Sequence, residues 1–110
     1  MSRLLLAAAL LLAGCSRPPG FEGCATVNDG AERDECRFEE AVKLLDAGKV
    51  DEVVAAAATV TEVTSRDLLL VRLAVHAPKH AARICQPITS AMGRQRCDQI
   101  TGRPHLNSAP

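Results

Sequence analysis

Apolar residues recur at helical spacing along most of the chain. Phe38, Ala41, Val42 and Leu45 stand at i, i+3, i+4 and i+7, the stripe of an amphipathic helix. Ahead of them, Asp29-Gly30-Ala31-Glu32 has the form of a capping box, with Asp29 at the N-cap and Glu32 three residues on. Gly48 predicts the end of that helix. Val50, Val53, Val54 and Ala57 repeat the spacing and predict a second helix, in which the small run Ala55 to Ala58 permits close approach. Thr59 to Thr64 is rich in β-branched residues and is compatible with a helix extension, a frayed end or a loop. Ser65 is the expected cap of a third helix, with Asp67 in its first turn. Leu68 to Val75 is apolar nearly all round except at Arg72, so this helix is expected at the centre of the core. Pro78 suits the first position of a further helix with Ala77, Ala81, Ile84, Cys85 and Ile88 on its face. A last helix is predicted from about Met92 to Ile100, stopped by Gly102, with Pro104 to Pro110 irregular.

The first residues follow a different pattern. Met1-Ser2-Arg3 is a short positive segment, and Leu4 to Ala13 consists only of Leu and Ala. This run is too short to span a bilayer and suits the hydrophobic core of a signal peptide. It ends in Leu12-Ala13-Gly14-Cys15, which resembles the lipobox of bacterial lipoproteins. The resemblance implies cleavage after Gly14, diacylation of the Cys15 sulfur and acylation of the new amino terminus. Ser16 resembles the outer-membrane default of that family, in which Asp at this position commonly favours inner-membrane retention. Three acyl chains exceed the two signals that stable anchoring requires.

On this reading residues 1–14 are a signal peptide, and 96 of the 110 residues remain. Residues 15–23 are the lipidated Cys and a Pro/Gly tether, 24–102 a helical domain, and 103–110 an irregular C-terminal tail. Pro18-Pro19 favours a stiff, extended tether. From Ser16 to Gly23 it reaches at most about 26 Å at roughly 3.3 Å per residue.

Four cysteines remain besides Cys15, and an exported chain carries them into an oxidising compartment. Cys24 and Cys36, and again Cys85 and Cys97, are separated by eleven residues. CATVNDGAERDEC and CQPITSAMGRQRC also share an aliphatic residue at the fourth position (Val27, Ile88) and Arg at the tenth (Arg33, Arg94). Each copy is read as a tight helical hairpin, turning at Asn28-Asp29-Gly30 and at Thr89-Ser90. The favoured pairing is local, Cys24–Cys36 and Cys85–Cys97. The alternative is crossed, Cys24–Cys97 with Cys36–Cys85, joining two antiparallel segments. Zinc sites and thiol oxidoreductases use much closer Cys pairs, so structural bridges are the expectation.

The stretch AVKLLDAGKVDEVVAAA, Ala41 to Ala57, resembles a tetratricopeptide-type hairpin. Leu45, Gly48, Asp51 and Glu52 fall where such repeats place a Leu, a small turn residue and an acidic pair opening the second helix. Val53 stands where those repeats prefer Ala. Without a second copy at roughly the 34-residue period, the resemblance implies an αα-hairpin and not a solenoid.

Composition narrows the function. There is no Trp, no Tyr and only two Phe, which argues against stacking platforms for bases or sugars. The formal net charge is zero and gives no electrostatic reason to expect nucleic acid. The charge is uneven, however. Glu22 to Glu62 holds eleven acids and four bases, net −7, whereas Val63 to Pro110 holds two acids and seven bases, net +5. The two halves are expected to pack and neutralise each other, or else to present a basic face to anionic headgroups or an acidic partner. His76 and His80 stand at i, i+4, a spacing that can hold a metal, but Pro78 between them is expected to break the shared face. Glu39-Glu40 reads as the solvated side of a helix.

The expected fold is therefore all-α: a small bundle of four to six short helices arranged as αα-hairpins and stapled by two disulfides. The expected protein is a non-enzymatic, lipid-anchored interaction or scaffold module of the bacterial envelope, on the periplasmic face of the outer membrane, without cofactor. It holds the membrane through acyl chains on Cys15 and meets a protein partner. The rival reading is a periplasmic metal- or redox-binding lipoprotein.

Overall fold

The computed structural model describes residues 17–102. The expected signal peptide, Cys15 and the C-terminal tail 103–110 lie outside those residues. Six α-helices form the described chain: α1 (Gly20–Gly23), α2 (Gly30–Asp46), α3 (Val50–Ala58), α4 (Val63–His76), α5 (Ala81–Cys85) and α6 (Ala91–Thr101). Single 3₁₀ turns, Cys24–Thr26 and Pro78–His80, follow α1 and precede α5. No strand occurs among the described residues. The all-α bundle stapled by two disulfides is what the periodicity and the cysteine repeat predict.

Local chemistry accounts for most helix ends. The Asp29 carboxylate accepts the Glu32 N–H at 2.9 Å and caps α2. Gly48 and Gly102 end α2 and α6 in the left-handed conformation, at φ +78° and +69°. Pro78 opens the turn before α5, where its missing N–H costs nothing.

Two starts differ from expectation. Pro78, expected at the first position of a helix reaching Ile88, opens a 3₁₀ turn instead, and α5 runs only from Ala81 to Cys85. The helix whose expected cap is Ser65 begins three residues earlier, with Glu62 at the N-cap and Val63 as its first residue. The Glu62 carbonyl accepts the Arg66 N–H at 2.9 Å, so the first turn forms without a side-chain cap. Asp67 consequently falls in the second turn, and its side chain is buried.

α4 is the central element, packed against α2, α3, α5 and α6. Leu69, Leu70, Val71, Leu73 and Ala74 on this helix are buried. Around them lie Ala41 and Leu45 of α2, Val53 and Ala57 of α3, and Ala81 and Ile84 of α5. Val60 is also buried, which anchors the connection from α3 to α4. The N-terminal boundary moves too. Gly20–Gly23, placed in the tether by the sequence reading, is helical, and Phe21 joins the core.

Leu70 is fully buried, whereas Leu68 on the same helix is 53% exposed. Leu70→Asp should therefore destabilise the domain by about 3–5 kcal/mol, through lost packing and a buried unpaired carboxylate. Leu68→Asp should stay within about 0.5 kcal/mol. Urea melts followed by circular dichroism on the chain from Ser16 onward measure both, and equal midpoints would contradict this core.

Candidate functional site

The paired cysteines form two closely matched units. Cys24–Cys36 and Cys85–Cys97 are both bridged, with Cα–Cα distances of 5.6 and 6.1 Å, and the crossed pairing does not occur. In each unit the residue three positions after the first Cys donates its N–H back to that Cys: Val27 to the Cys24 carbonyl at 3.0 Å, Ile88 to the Cys85 carbonyl at 3.1 Å. In each, the residue five positions after the first Cys caps the next helix. Asp29 does so for Glu32, and the Ser90 hydroxyl does so for the Gly93 N–H at 3.1 Å. The second Cys then falls on the second turn of that helix. All four cysteines are buried, and each unit joins the end of one helical segment to the helix that follows.

The loops are held differently. In the first, Arg33 Nη1 donates to the Val27 carbonyl at 3.1 Å, within the unit itself. Arg94 shows no equivalent bond among the described residues. Instead, Asp67 reaches in from α4. Its Oδ2 accepts the Ser90 N–H at 2.8 Å and the Thr89 N–H at 3.3 Å. Its Oδ1 accepts from the Arg66 guanidinium at 3.3 Å, and Arg66 also donates to the Thr89 hydroxyl at 3.0 Å. Gly93 makes room for this junction: a Cβ there would lie 2.7 Å from an Ile88 methyl and 2.8 Å from the Ser90 hydroxyl.

Asp67 is only 3% exposed. Burial opposes its charge, but the Ser90 and Thr89 hydrogen bonds and Arg66 outweigh burial, and its pKa lies below the ordinary value of 3.8. Nothing local in the sequence marks this role. An Asp shortly after a Ser reads as a first-turn acid, and only the pairing of α4 with a turn more than twenty residues away reveals it.

A third ordered junction lies at the N-terminal end of the described chain. Gly23 packs directly on the chain before α1: a Cβ there would fall 1.8 Å from the Pro18 carbonyl oxygen. Arg17 reaches α2, with Nη2 3.8 Å from Glu40 Oε2, and Lys43 pairs with the same oxygen. Glu40, expected on a solvated face, is thus nearly covered; Arg17 and Lys43 neutralise what they cover. The Lys43 hydrogen bond lowers the Glu40 pKa against the opposing effect of burial, and the Lys43 and Arg17 charges lower it further. The chain from Arg17 to Gly20 is therefore in contact with the fold through Arg17, while its own residues stay exposed.

The acidic and basic halves meet through exposed pairs: Arg72 with Glu35 at 3.1 Å, Arg83 with Asp51 at 3.2 Å, and His76 with Asp46 at 3.4 Å. Arg72 also lies 3.9 Å over the Phe38 ring. His76 ends α4, whereas His80 lies in the following 3₁₀ turn. Both border one cleft of about 580 Å³ together with Asp46. No three His, Cys, Asp or Glu side chains converge as a metal set among the described residues. No described helix is long and apolar enough to cross a membrane.

Compared with known proteins, the chain matches no family model, no curated protein and no solved structure.

Asp67→Asn keeps the shape and removes the charge from the two amide hydrogen bonds and Arg66. At neutral pH it should cost about 1.5–3 kcal/mol, the range for hydrogen bonds to a charged group. The folded pKa is depressed, so the wild-type advantage is present above the unfolded value near 3.8 and is lost as pH falls through the folded pKa. Denaturation of both proteins between pH 7 and pH 2 should show the two curves converging at the acid end. A constant gap would contradict the assignment.

Proposed function

We propose that this chain is a lipid-anchored protein of the bacterial cell envelope, held at the periplasmic face of the outer membrane, and that its helical domain is a non-enzymatic module for binding or scaffolding another protein. The observation that carries this reading is the order Met1-Ser2-Arg3, Leu4 to Ala13, Leu12-Ala13-Gly14-Cys15, followed after one further residue by chain in contact with the fold.

Two further observations support it. The four remaining cysteines sit in buried bridges, as suits an oxidising compartment. The two most buried acids are engaged structurally, Asp67 with the Thr89-Ser90 turn and Glu40 with Lys43 and Arg17, so neither is poised for acid–base chemistry. What remains for a partner is surface. The basic C-terminal half carries Leu68, Val75 and Met92 exposed, and it suits a partner with an acidic, partly apolar face.

The lipid anchor is tested by feeding cells a clickable fatty-acid analogue. Wild-type protein should take up label and appear in the membrane fraction at the mass of a chain beginning at Cys15. Cys15→Ser should accumulate as an unlabelled, uncleaved precursor. Equal labelling of the two would refute the anchor.

A further inference from the structure

Beside the N-terminal junction the surface is hollowed into an open groove of about 490 Å³, within the roughly 300–1,000 Å³ of small-ligand sites. Pro19 and Phe21 from the N-terminal segment, Leu44 of α2, and Ala55 and Ala56 of α3 form its apolar lining. Ala55 is exposed and Ala56 half-buried, so the small side chains of α3 leave the space unfilled. Glu22 and Glu52 also line it, with exposed side chains. Their charge disfavours an anionic headgroup and leaves hydrocarbon as the chemistry that fits.

The chain itself says which hydrocarbon is nearest. Pro19 is part of the groove wall, and Cys15 is four residues before it, at most about 14 Å of chain. Arg17 pairs with Glu40 and Pro18 packs on Gly23, so only Ser16 separates Cys15 from chain in contact with the fold. A group attached to Cys15 is therefore within reach of the groove at high effective concentration.

Resting on the reading that Cys15 is acylated, we infer that one of its acyl chains lies in this groove, between the N-terminal segment, α2 and α3. The other chains enter the bilayer. The domain is consequently held close against the membrane by its α1–α2–α3 end, and the basic half, carried by α4 to α6, is left available.

The test uses the mature acylated protein in phosphatidylethanolamine–phosphatidylglycerol vesicles, prepared from cells fed a diazirine-bearing palmitate. The mass of the N-terminal peptide is read first, then the protein is irradiated and its adducts mapped. The expected result is an adduct joining the Cys15 acyl chain to the segment containing Ala55 and Ala56, or to Leu44. A mixture of isotopically light and heavy chains should give adducts within one chain. Ala55→Trp, which fills the groove from an exposed position, should lose the adduct, whereas Leu68→Trp should keep it. Acyl mass on Cys15 with adducts only on vesicle lipid overturns the groove assignment and leaves the anchor standing. Light–heavy adducts overturn it in favour of a second copy as the occupant. Absence of acyl mass overturns the anchor, and the groove assignment with it.

Discussion

Two cysteines twelve positions apart on a straight helix would be separated by about 18 Å, at 1.5 Å per residue. The bridges here span 5.6 and 6.1 Å between Cα atoms, so the chain has to break and restart between them. Both units meet that constraint: Cys24 opens the 3₁₀ turn after α1 and Cys85 ends α5, the helical path then breaks, and a side-chain cap at the fifth position starts a new helix. Closing each loop contributes about 3 kcal/mol in the chain-entropy model. In a core with a single buried aromatic, Phe21, that is a large share of the 5–15 kcal/mol by which domains are commonly stable, roughly speaking. The starts of α2 and α6 follow from it. So does the position of α4, which packs on both.

The polar interactions divide into two kinds. The exposed pairs between the acidic and basic halves, Glu35–Arg72 and Asp51–Arg83, match the two halves electrostatically but are each worth little. Asp67 is different, because it is buried and satisfies two backbone amides that nothing else among the described residues accepts. It ties the second cystine unit to α4, whereas Arg33 makes the first unit self-contained. The degenerate repeat thus hides a difference of dependence: one copy carries its own brace and the other borrows it.

Local features of the sequence revealed most of the fold. The stripe through Phe38 and Leu45, the Asp29 cap, Gly48 and Gly102 each act within a few residues, and each appears where the chain implies. The local bridges were legible because the eleven-residue spacing and the Val27/Ile88 match recur. What escaped depends on contacts between distant segments. Ser65 has the chemistry of a cap, yet α4 begins at Val63, because helix continuation needs only the Glu62 carbonyl. Glu40 has an ordinary acidic pattern, and besides Lys43 its partner is Arg17, which the sequence assigns to a tether. The groove beside the N-terminal segment has no sequence signature, since Phe21, Leu44 and Ala55 lie on three segments that only folding brings together.

The order of the bridges bears on how the chain is made. Cys24 joins Cys36 and Cys85 joins Cys97, so each cysteine is linked to its neighbour along the chain. On the export route proposed above, the mature chain crosses with its amino end leading and exposes the first pair before the second pair has crossed. An oxidant that links thiols in order of emergence makes the native set directly, leaving no shuffling for an isomerase to correct. The first unit, braced by its own Arg33, can close while the rest of the chain is still in transit. The second reaches its brace late as well, but Asp67 has emerged by then.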